Sequence, residues 1–245
     1  DMLFAHESHA VIMIFQGMDG SGKDEAIGDV LSHIDPQGCK ATKFNAPTEG
    51  ELRHDYQRRF VKALPECGQI GIYNRSYYEH LVGDRIHLDR VKQWKMQPKV
   101  KGDDLWQQRF REVNNMEQYL SDNGYLVLKF FLHVSKERQC ERLLERLTHP
   151  EKKWQFSMSD MDDRKRWNQF QKIYEETLQN TNTKAAPWYL IPSDHRWFAH
   201  LAVASAVVEG LKSLHQRYPA LTKEETEQMK AAQSQLEKEM KTAGR

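Results

Sequence analysis

Charge of neither sign predominates in this chain. Thirty-six lysines and arginines meet 35 aspartates and glutamates, for a net charge of +1. That removes the broad basic field on which nonspecific nucleic-acid binding relies, so any anion site must come from local clustering. Cysteine is scarce as well: Cys39, Cys67 and Cys140 are odd in number, far apart and in no metal-ligand spacing. This fits a reducing cytosol, and a cytoplasmic location is expected. Long apolar runs are missing. "AVIMIF" near the start is far too short to span a bilayer, and "LAVASAVVEGL" is interrupted by Ser205 and Glu209, so neither a transmembrane segment nor a signal peptide is expected. There is no internal repeat, no "NKxD" guanine-reading motif and no "DxxG" loop after the third predicted strand, which argues against a GTP-binding switch.

What is present is an alternation of short apolar runs with helical patterns. "AVIMIF" (Ala10 to Phe15) reads as a strand buried on both faces. "CKATKF" (Cys39 to Phe44), "QIGIY" (Gln69 to Tyr73), "YLVLKFFLHV" (Tyr125 to Val134) and "APWYLIPS" follow as further strands. Between them, Lys23 to Ile34 is helical in pattern, Thr48 with Glu51 forms a capping box opening a helix through "LRHDYQRRFVKAL", and Ser76 with Glu79 repeats the pattern. Leu105, Phe110, Val113, Met116 and Leu120 are near helical spacing, in a helix predicted to stop at Asn123-Gly124. Strands alternating with helices throughout predict a parallel sheet covered on both faces. The expected fold is an α/β, P-loop kinase-like three-layer sandwich with a central parallel five-stranded sheet and a helical lid. At 245 residues one domain is expected, over residues 1–221, with the lid as an insertion at about 135–180 and a polar C-terminal helix over 222–245.

The stretch "IMIFQGMDGSGKDEAIGDV" concentrates the chemistry. Gly17, Gly22 and Lys23 have phosphate-loop spacing, in a strand-loop-helix context that makes the pattern specific. The glycines allow positive φ and close backbone approach, the helix N-terminus faces the anion, and Lys23 reaches the transferring oxygens. Gly20, Ser21, Gly22, Lys23 and Asp24 are thus the expected phosphate-binding run. Asp24 stands where the pattern has Ser or Thr, and an acid there interacts favourably with the helix dipole, by roughly 0.3–1 kcal/mol. Asp19 is different, because a carboxylate among phosphate-binding amides would repel the ligand unless a cation lay between them; Asp19 is therefore the candidate Mg²⁺ ligand. The alternative for Asp19 is a loop residue accepting its own backbone amides. After the third strand, Asn74 would orient a phosphate or a metal-bound water, or simply end the strand, and Arg75 can neutralise charge on the transferring group. Glu79 reads as a helix cap first and a metal ligand second. In "SKERQCERLLERL", Arg138, Arg142 and Arg146 form one row along a helix, followed by Lys152 and Lys153. Glu137, Glu141 and Glu145 form an adjacent row that competes for them, but beside a phosphate loop the arginines become anion contacts of a closing lid.

Taken together, "GMDGSGKDEAI", "DPQGC", "GQIGIYNRSYYEHL", "FFLHVSKERQCERLLERL", "HPEKKWQFSMSD" and "APWYLIPSDHRWF" resemble the polyphosphate kinase 2 family, over Ile12 to about Leu214. The Asn-Arg-Ser form after the third strand resembles its class III, associated with phosphorylation of both AMP and ADP. The resemblance implies reversible phosphoryl transfer from inorganic polyphosphate to nucleoside mono- and diphosphates, with Mg²⁺, or Mn²⁺ in its place, as the metal. It implies Asp19, Lys23 and Arg75 as catalytic residues, Asp19 and Glu79 as metal ligands, Asn74, Arg75 and Arg85 as nucleotide contacts, and Arg138 to Lys153 as the lid. Adenine nucleotides are the expected partners, with guanine nucleotides second; no nucleic acid or membrane partner is expected. A homo-oligomer, dimer or tetramer, is expected, with Trp188, Trp197 and the last helices as interface candidates. One departure is that Glu79-His80 replaces an expected acidic pair, which leaves the second metal position open. The rival reading is an ATP-dependent nucleoside monophosphate kinase, against which Asp24 argues.

Overall fold

The computed structural model describes residues 1–32 and 34–243. Five strands, β1 (Ala10–Gln16), β2 (Cys39–Lys43), β3 (Ile70–Asn74), β4 (Tyr125–His133) and β5 (Trp188–Pro192), form one sheet in the order β2-β3-β1-β4-β5. Every pair is parallel. The longer helices are α1 (Lys23–Leu31), α2 (Asp103–Asp122), α3 (Lys136–Thr148), α4 (Met158–Lys165), α5 (Trp167–Thr181), α6 (Arg196–Ser213) and α7 (Lys223–Ala243). Strand β1 lies at the centre, and successive residues face opposite layers. Ile12 and Ile14 pack with Phe110, Val113 and Tyr174 on one side. Val11, Met13 and Phe15 pack with Ala26, Ile27 and Val203 on the other. Two apolar layers explain why β1 is buried at all seven positions and why its sequence does not alternate. This is the expected three-layer sandwich.

The chain turns to opposite sides of β1, with β3 on one side and β4 on the other. A crevice opens at the carboxyl ends of strands at such a reversal, the usual place for a ligand in an open α/β sheet. The segments after β1, β3 and β4 all start there.

Several local expectations need correction. The Thr48-Glu51 box forms, with the Thr48 amide donating to Glu51 Oε2 at 2.7 Å, but it opens only a short 3₁₀ turn, Glu51–Arg53. His54 is extended, and the Asp55 carboxylate caps a new start by accepting from the Gln57 and Arg58 amides, so the single predicted helix becomes two short pieces. At Ser76 the hydroxyl accepts from the Tyr78 amide, while the Glu79 carboxylate turns away to Arg75; no capping box forms. Helix α1 ends at Leu31, short of Ile34, with the Ser32 amide bonded to the Gly28 carbonyl. The second polar stretch of the insertion is two helices, α4 and α5, joined at Arg166. Trp188 is core in the protomer: its indole donates to Thr181 Oγ1 at 2.9 Å and packs edge-on against Tyr78, so it is no interface residue. Helix α7 is exposed along nearly its whole length. Among the described residues no helix is long and apolar enough to cross a membrane.

Candidate active site

Strand β1 runs into a loop with Gly17, Gly20 and Gly22 at φ of +146°, +80° and +94°. At Gly17 a Cβ would meet the Leu132 carbonyl at 2.6 Å, so both the conformation and the approach to β4 require glycine. Lys23, at the start of α1, folds back over the loop: its Nζ donates to the Gly17 carbonyl at 2.6 Å and the Met18 carbonyl at 3.0 Å. Burial drives its pKa down to about 8, against the opposing pull of Asp19. The unfolded chain would therefore bind more protons here above that value, so stability gains from this group as pH rises through about 8 toward the ordinary lysine range. The ammonium itself is lost over the same interval. Turnover per encounter should accordingly fall as pH rises past about 8, read as a descending limb in kcat/KM, which reports the free enzyme.

At the end of β3, Asn74 Nδ2 donates to Asp24 Oδ1 at 2.6 Å, and Lys43 Nζ lies 3.3 Å from the same oxygen. Asp24 thus ties β2, β3 and the loop helix together at their carboxyl-end crevice. Burial pushes its carboxyl up, but Lys43 and Asn74 outweigh this and hold it below the usual carboxylate range. Next in the chain, Arg75 has φ +64°, a conformation that costs about 1–3 kcal/mol for a residue with a side chain and concentrates at functional sites. The strained backbone aims the guanidinium between two acids: Nη2 is 2.6 Å from Asp19 Oδ1 and Nη1 is 3.4 Å from Glu79 Oε2. Glu79, then Asp19, raises the Arg75 pKa. Burial pushes the Asp19 carboxyl up, and Arg75 and Lys23 more than offset it, leaving Asp19 ionised below the ordinary range.

The insertion contributes less uniformly than its arginine row implies. Arg142 is buried and donates to the Gly20 carbonyl at 2.9 Å and the Ser193 carbonyl at 2.6 Å. Gln139 donates to the Asp19 carbonyl at 2.8 Å. Helix α3 therefore grips the loop from outside. Arg138 pairs with Glu141, the neighbour in the competing acidic row, and Arg146 reaches Asp160 at 3.3 Å. Lys152 lies 3.9 Å from Glu145, and Lys153 is exposed. Arg85 is turned to Glu176 at 2.9 Å and over the Trp106 ring, and it does not line the cavities that follow.

Three cavities border Asp19, Arg75 and Glu79: the first touches all three, the second Arg75 and Glu79, and the third Asp19. A cleft of about 450 Å³ lies between the loop and the insertion, with Asp19, Arg75, Glu79, Asp160 and Tyr174 among its walls. A second of about 430 Å³ shares Lys43, Arg75, Glu79 and Arg90 with it and adds the aromatic rings of Phe44, Phe60 and Trp94. The third, about 120 Å³, is lined by Lys23, Arg142, Arg146, Lys152 and Arg196 together with Asp19, Asp24, Glu25 and Glu145. Sequence reasoning missed Lys43, Arg90, Asp160 and Gln139. For Gln139 a signal existed, since Gln139, Arg142 and Leu143 make an i, i+3, i+4 buried face; the other three belong to segments that only the fold brings together. Among the described residues no group of three or more His, Cys, Asp or Glu is arranged to hold a metal ion. Asp19 and Glu79, two carboxylates beside a phosphate loop, fit a hard divalent ion that keeps waters and arrives with substrate phosphates.

A family model described as polyphosphate kinase 2 matches residues 2–219 of this chain. The chain belongs to the polyphosphate kinase 2 family. A protein of Rhodopseudomonas palustris named ADP-polyphosphate phosphotransferase is 41% identical over 96% of this chain and 82% of its own length. An AMP/ADP-polyphosphate phosphotransferase of Meiothermus ruber is 39% identical over 89% of this chain and 78% of its own. The crystal structure of polyphosphate kinase 2 from Arthrobacter aurescens TC1 superposes with a TM-score of 0.83 at 30% identity, covering 90% of this chain and 75% of that one. Membership in the polyphosphate kinase 2 family makes the chain a kinase, for which a divalent metal is the general expectation.

Proposed function

We propose that this chain transfers a phosphoryl group from inorganic polyphosphate to AMP and ADP, reversibly and in the presence of Mg²⁺, with Mn²⁺ able to replace it. The observation that carries the reading is a pair of unlike cavities on either side of the Asp19–Arg75–Glu79 group, one against Arg75 and Glu79 and the other against Asp19. One has aromatic walls suited to a nucleoside. The other is lined by Lys23, Arg142, Arg146, Lys152 and Arg196 interleaved with Asp19, Asp24, Glu25 and Glu145; its five cations suit a chain of phosphates with no base. The names of the two bacterial relatives support the same pair of substrates.

Transfer would be direct and in line, without a covalent intermediate. Lys23 leaves its carbonyl partners to meet the phosphates, and Arg75, already between two acids, neutralises charge on the transferring group. The loop amides of Gly20, Ser21 and Gly22 at the α1 N-terminus cradle the donor. Asn74 and Asp24 fix the acceptor side of the loop, and Arg138, Arg146, Lys152 and Lys153 guide the phosphate chain as the insertion closes, while Arg142 holds the loop in shape. Asp19 and Glu79 would hold the divalent ion, which screens repulsion between donor and acceptor phosphates. Arg85 would reach the nucleotide from its place beside Trp106 once the insertion closes. Exposed Trp197, Leu201 and Val208 on α6 support a homo-oligomeric assembly through that helix.

The test is an assay of purified protein with Mg²⁺ and AMP or ADP, supplied with either long-chain polyphosphate or ATP as donor. ADP or ATP should form with polyphosphate. Phosphorylation of AMP by ATP at a comparable rate in the absence of polyphosphate would overturn the reading in favour of a monophosphate kinase.

A further inference from the structure

The two larger cavities share Lys43, Arg75, Glu79 and Arg90 as walls. A nucleotide with its base among Phe44, Phe60 and Trp94 and its phosphate at the Asp19–Arg75–Glu79 group has to run along these shared walls. Three of the four are cations, and two of those already have acids of the protein: Lys43 Nζ is 3.3 Å from Asp24 Oδ1, and Arg75 lies between Asp19 and Glu79. Arg90 differs. Its guanidinium makes no hydrogen bond or ion pair among the described residues. Asp89 and Asp163 also line these cavities, but neither pairs with it, and Asp163 takes His87 at 3.0 Å instead.

Local structure holds Arg90 at this crossing. It sits on the short helix Leu88–Gln93, which is anchored by buried Val91 and followed by buried Trp94. From there the side chain reaches back over Gly83. A Cβ on Gly83 would stand 3.1 Å from Arg90 Nη1 and 3.3 Å from Glu79 Oε2, so the glycine leaves open the shelf on which the guanidinium lies. The guanidinium is thus beside Glu79, yet the two form no ion pair, and Glu79 Oε2 is turned to Arg75. An unpaired guanidinium offers a planar fork of N–H donors that matches phosphate oxygens. Arg90 does not line the third, cation-rich cavity, which points to nucleotide phosphate as its anion and not to the polyphosphate chain.

We propose that Arg90 binds the phosphate of the acceptor nucleotide, its guanidinium donating to the phosphate oxygens where they pass from the aromatic cavity into the cleft. The inference rests on the nucleotide reading of the aromatic cavity given above, and it names the residue that tells a nucleotide from a nucleoside there. Arg75 serves the transferring group, whereas Arg90 acts through affinity. A contact made equally in the ground state and the transition state lowers KM and leaves kcat alone.

Calorimetric titration of the full chain with AMP, ADP and adenosine, without a phosphate donor, tests this. The wild-type protein should bind AMP and ADP more tightly than adenosine. Arg90→Met, which keeps much of the side-chain length but no charge, should weaken AMP and ADP by about tenfold, the scale of one hydrogen bond to a charged group, and leave adenosine unchanged. Arg90→Lys keeps the charge without the fork and should recover part of the loss. In steady-state transfer by Arg90→Met the KM for nucleotide should rise by about tenfold, with kcat and the KM for polyphosphate within about twofold of wild type. Arg90 is exposed, so the variants should fold, and a thermal melt checks this. Equal affinity of the wild-type protein for AMP and adenosine overturns the proposal whatever the variants do. Undiminished AMP affinity in a folded Arg90→Met also overturns it, and so does a rise confined to the polyphosphate KM, which would place Arg90 on the donor. The two readings separate: nucleotide binding that depends on Arg90, without polyphosphate-dependent transfer, would sink the proposed function alone, and transfer with a wild-type nucleotide KM in Arg90→Met would sink this inference alone.

Discussion

Asp19→Asn should lower kcat for polyphosphate-dependent transfer by about 10²–10³-fold, the usual loss when one preorganised electrostatic partner of a transition state is removed. The side chain keeps its size, so the loop glycines and the Gln139 bond to the Asp19 carbonyl are untouched and the fold should persist. What disappears is the negative charge 2.6 Å from Arg75 Nη2, which leaves Arg75 paired with Glu79 alone and displaced from the loop. On the proposed function, the site also loses one of the two carboxylates that would hold the divalent ion. Because the loss concerns charge that matters most in the transition state, kcat should fall more than KM rises. Steady-state kinetics at saturating polyphosphate, with a thermal melt of each protein, decides the matter. A variant with wild-type kcat would remove Asp19 from the mechanism, and equal damage by Glu79→Gln would assign the two acids equivalent roles.

A second large effect is expected far from the phosphates. Lys129 and Glu117 are fully buried, 2.6 Å apart. Glu117 also accepts from the hydroxyls of Tyr77 and Tyr78 at 2.8 Å, while Lys129 donates to the Tyr78 hydroxyl and to the Thr181 carbonyl. Burial pushes the Glu117 carboxyl up and the Lys129 ammonium down, so each charge persists only through the other and its hydrogen bonds. Lys129→Met should therefore destabilise the protein by about 3–5 kcal/mol, because it strands a buried carboxylate. For a chain of this size that corresponds to a fall in Tm of roughly 10 °C. The double variant Lys129→Met, Glu117→Leu should regain part of the loss, since no charge is then left uncompensated. Thermal and urea unfolding would check both. A single-variant loss below about 1 kcal/mol would mean that this network contributes no more than an exposed ion pair. Since Tyr77 and Tyr78 directly follow Arg75 and Ser76, the network also anchors the turn that carries Arg75 and Glu79.

Some of this architecture is written locally in the chain. The glycine pattern from Gly17 to Gly22 identifies the loop because its conformation demands glycine at each positive φ, and because Lys23 must follow at a fixed distance to cover it. The strands were legible from apolar runs bounded by turn residues, and the order of strands and helices admits few layer arrangements. The Thr48-Glu51 box was also readable, since its bonds are made within four residues, but the helix it should have opened was not, because Asp55 caps a fresh start two residues beyond the end of the first turn.

Other features were decided only in three dimensions. Lys129 reads as a lone polar residue in an apolar strand until α2 brings Glu117 beside it. Arg138, Arg142 and Arg146 are equivalent by spacing, yet one meets Glu141, one the loop carbonyls and one Asp160, since a helix face meets different neighbours along its length. His80 and Asp84 lie four residues apart, and only the fold closes Tyr56, Phe60, Trp94 and Arg109 around them. The sequence by itself determined the phosphate loop, the strand succession and the family, because these depend on short-range geometry and on covalent order. The tertiary structure alone decided which charges pair, which arginine grips the loop and what lines the aromatic cavity, because each of those contacts joins segments that the chain order leaves far apart.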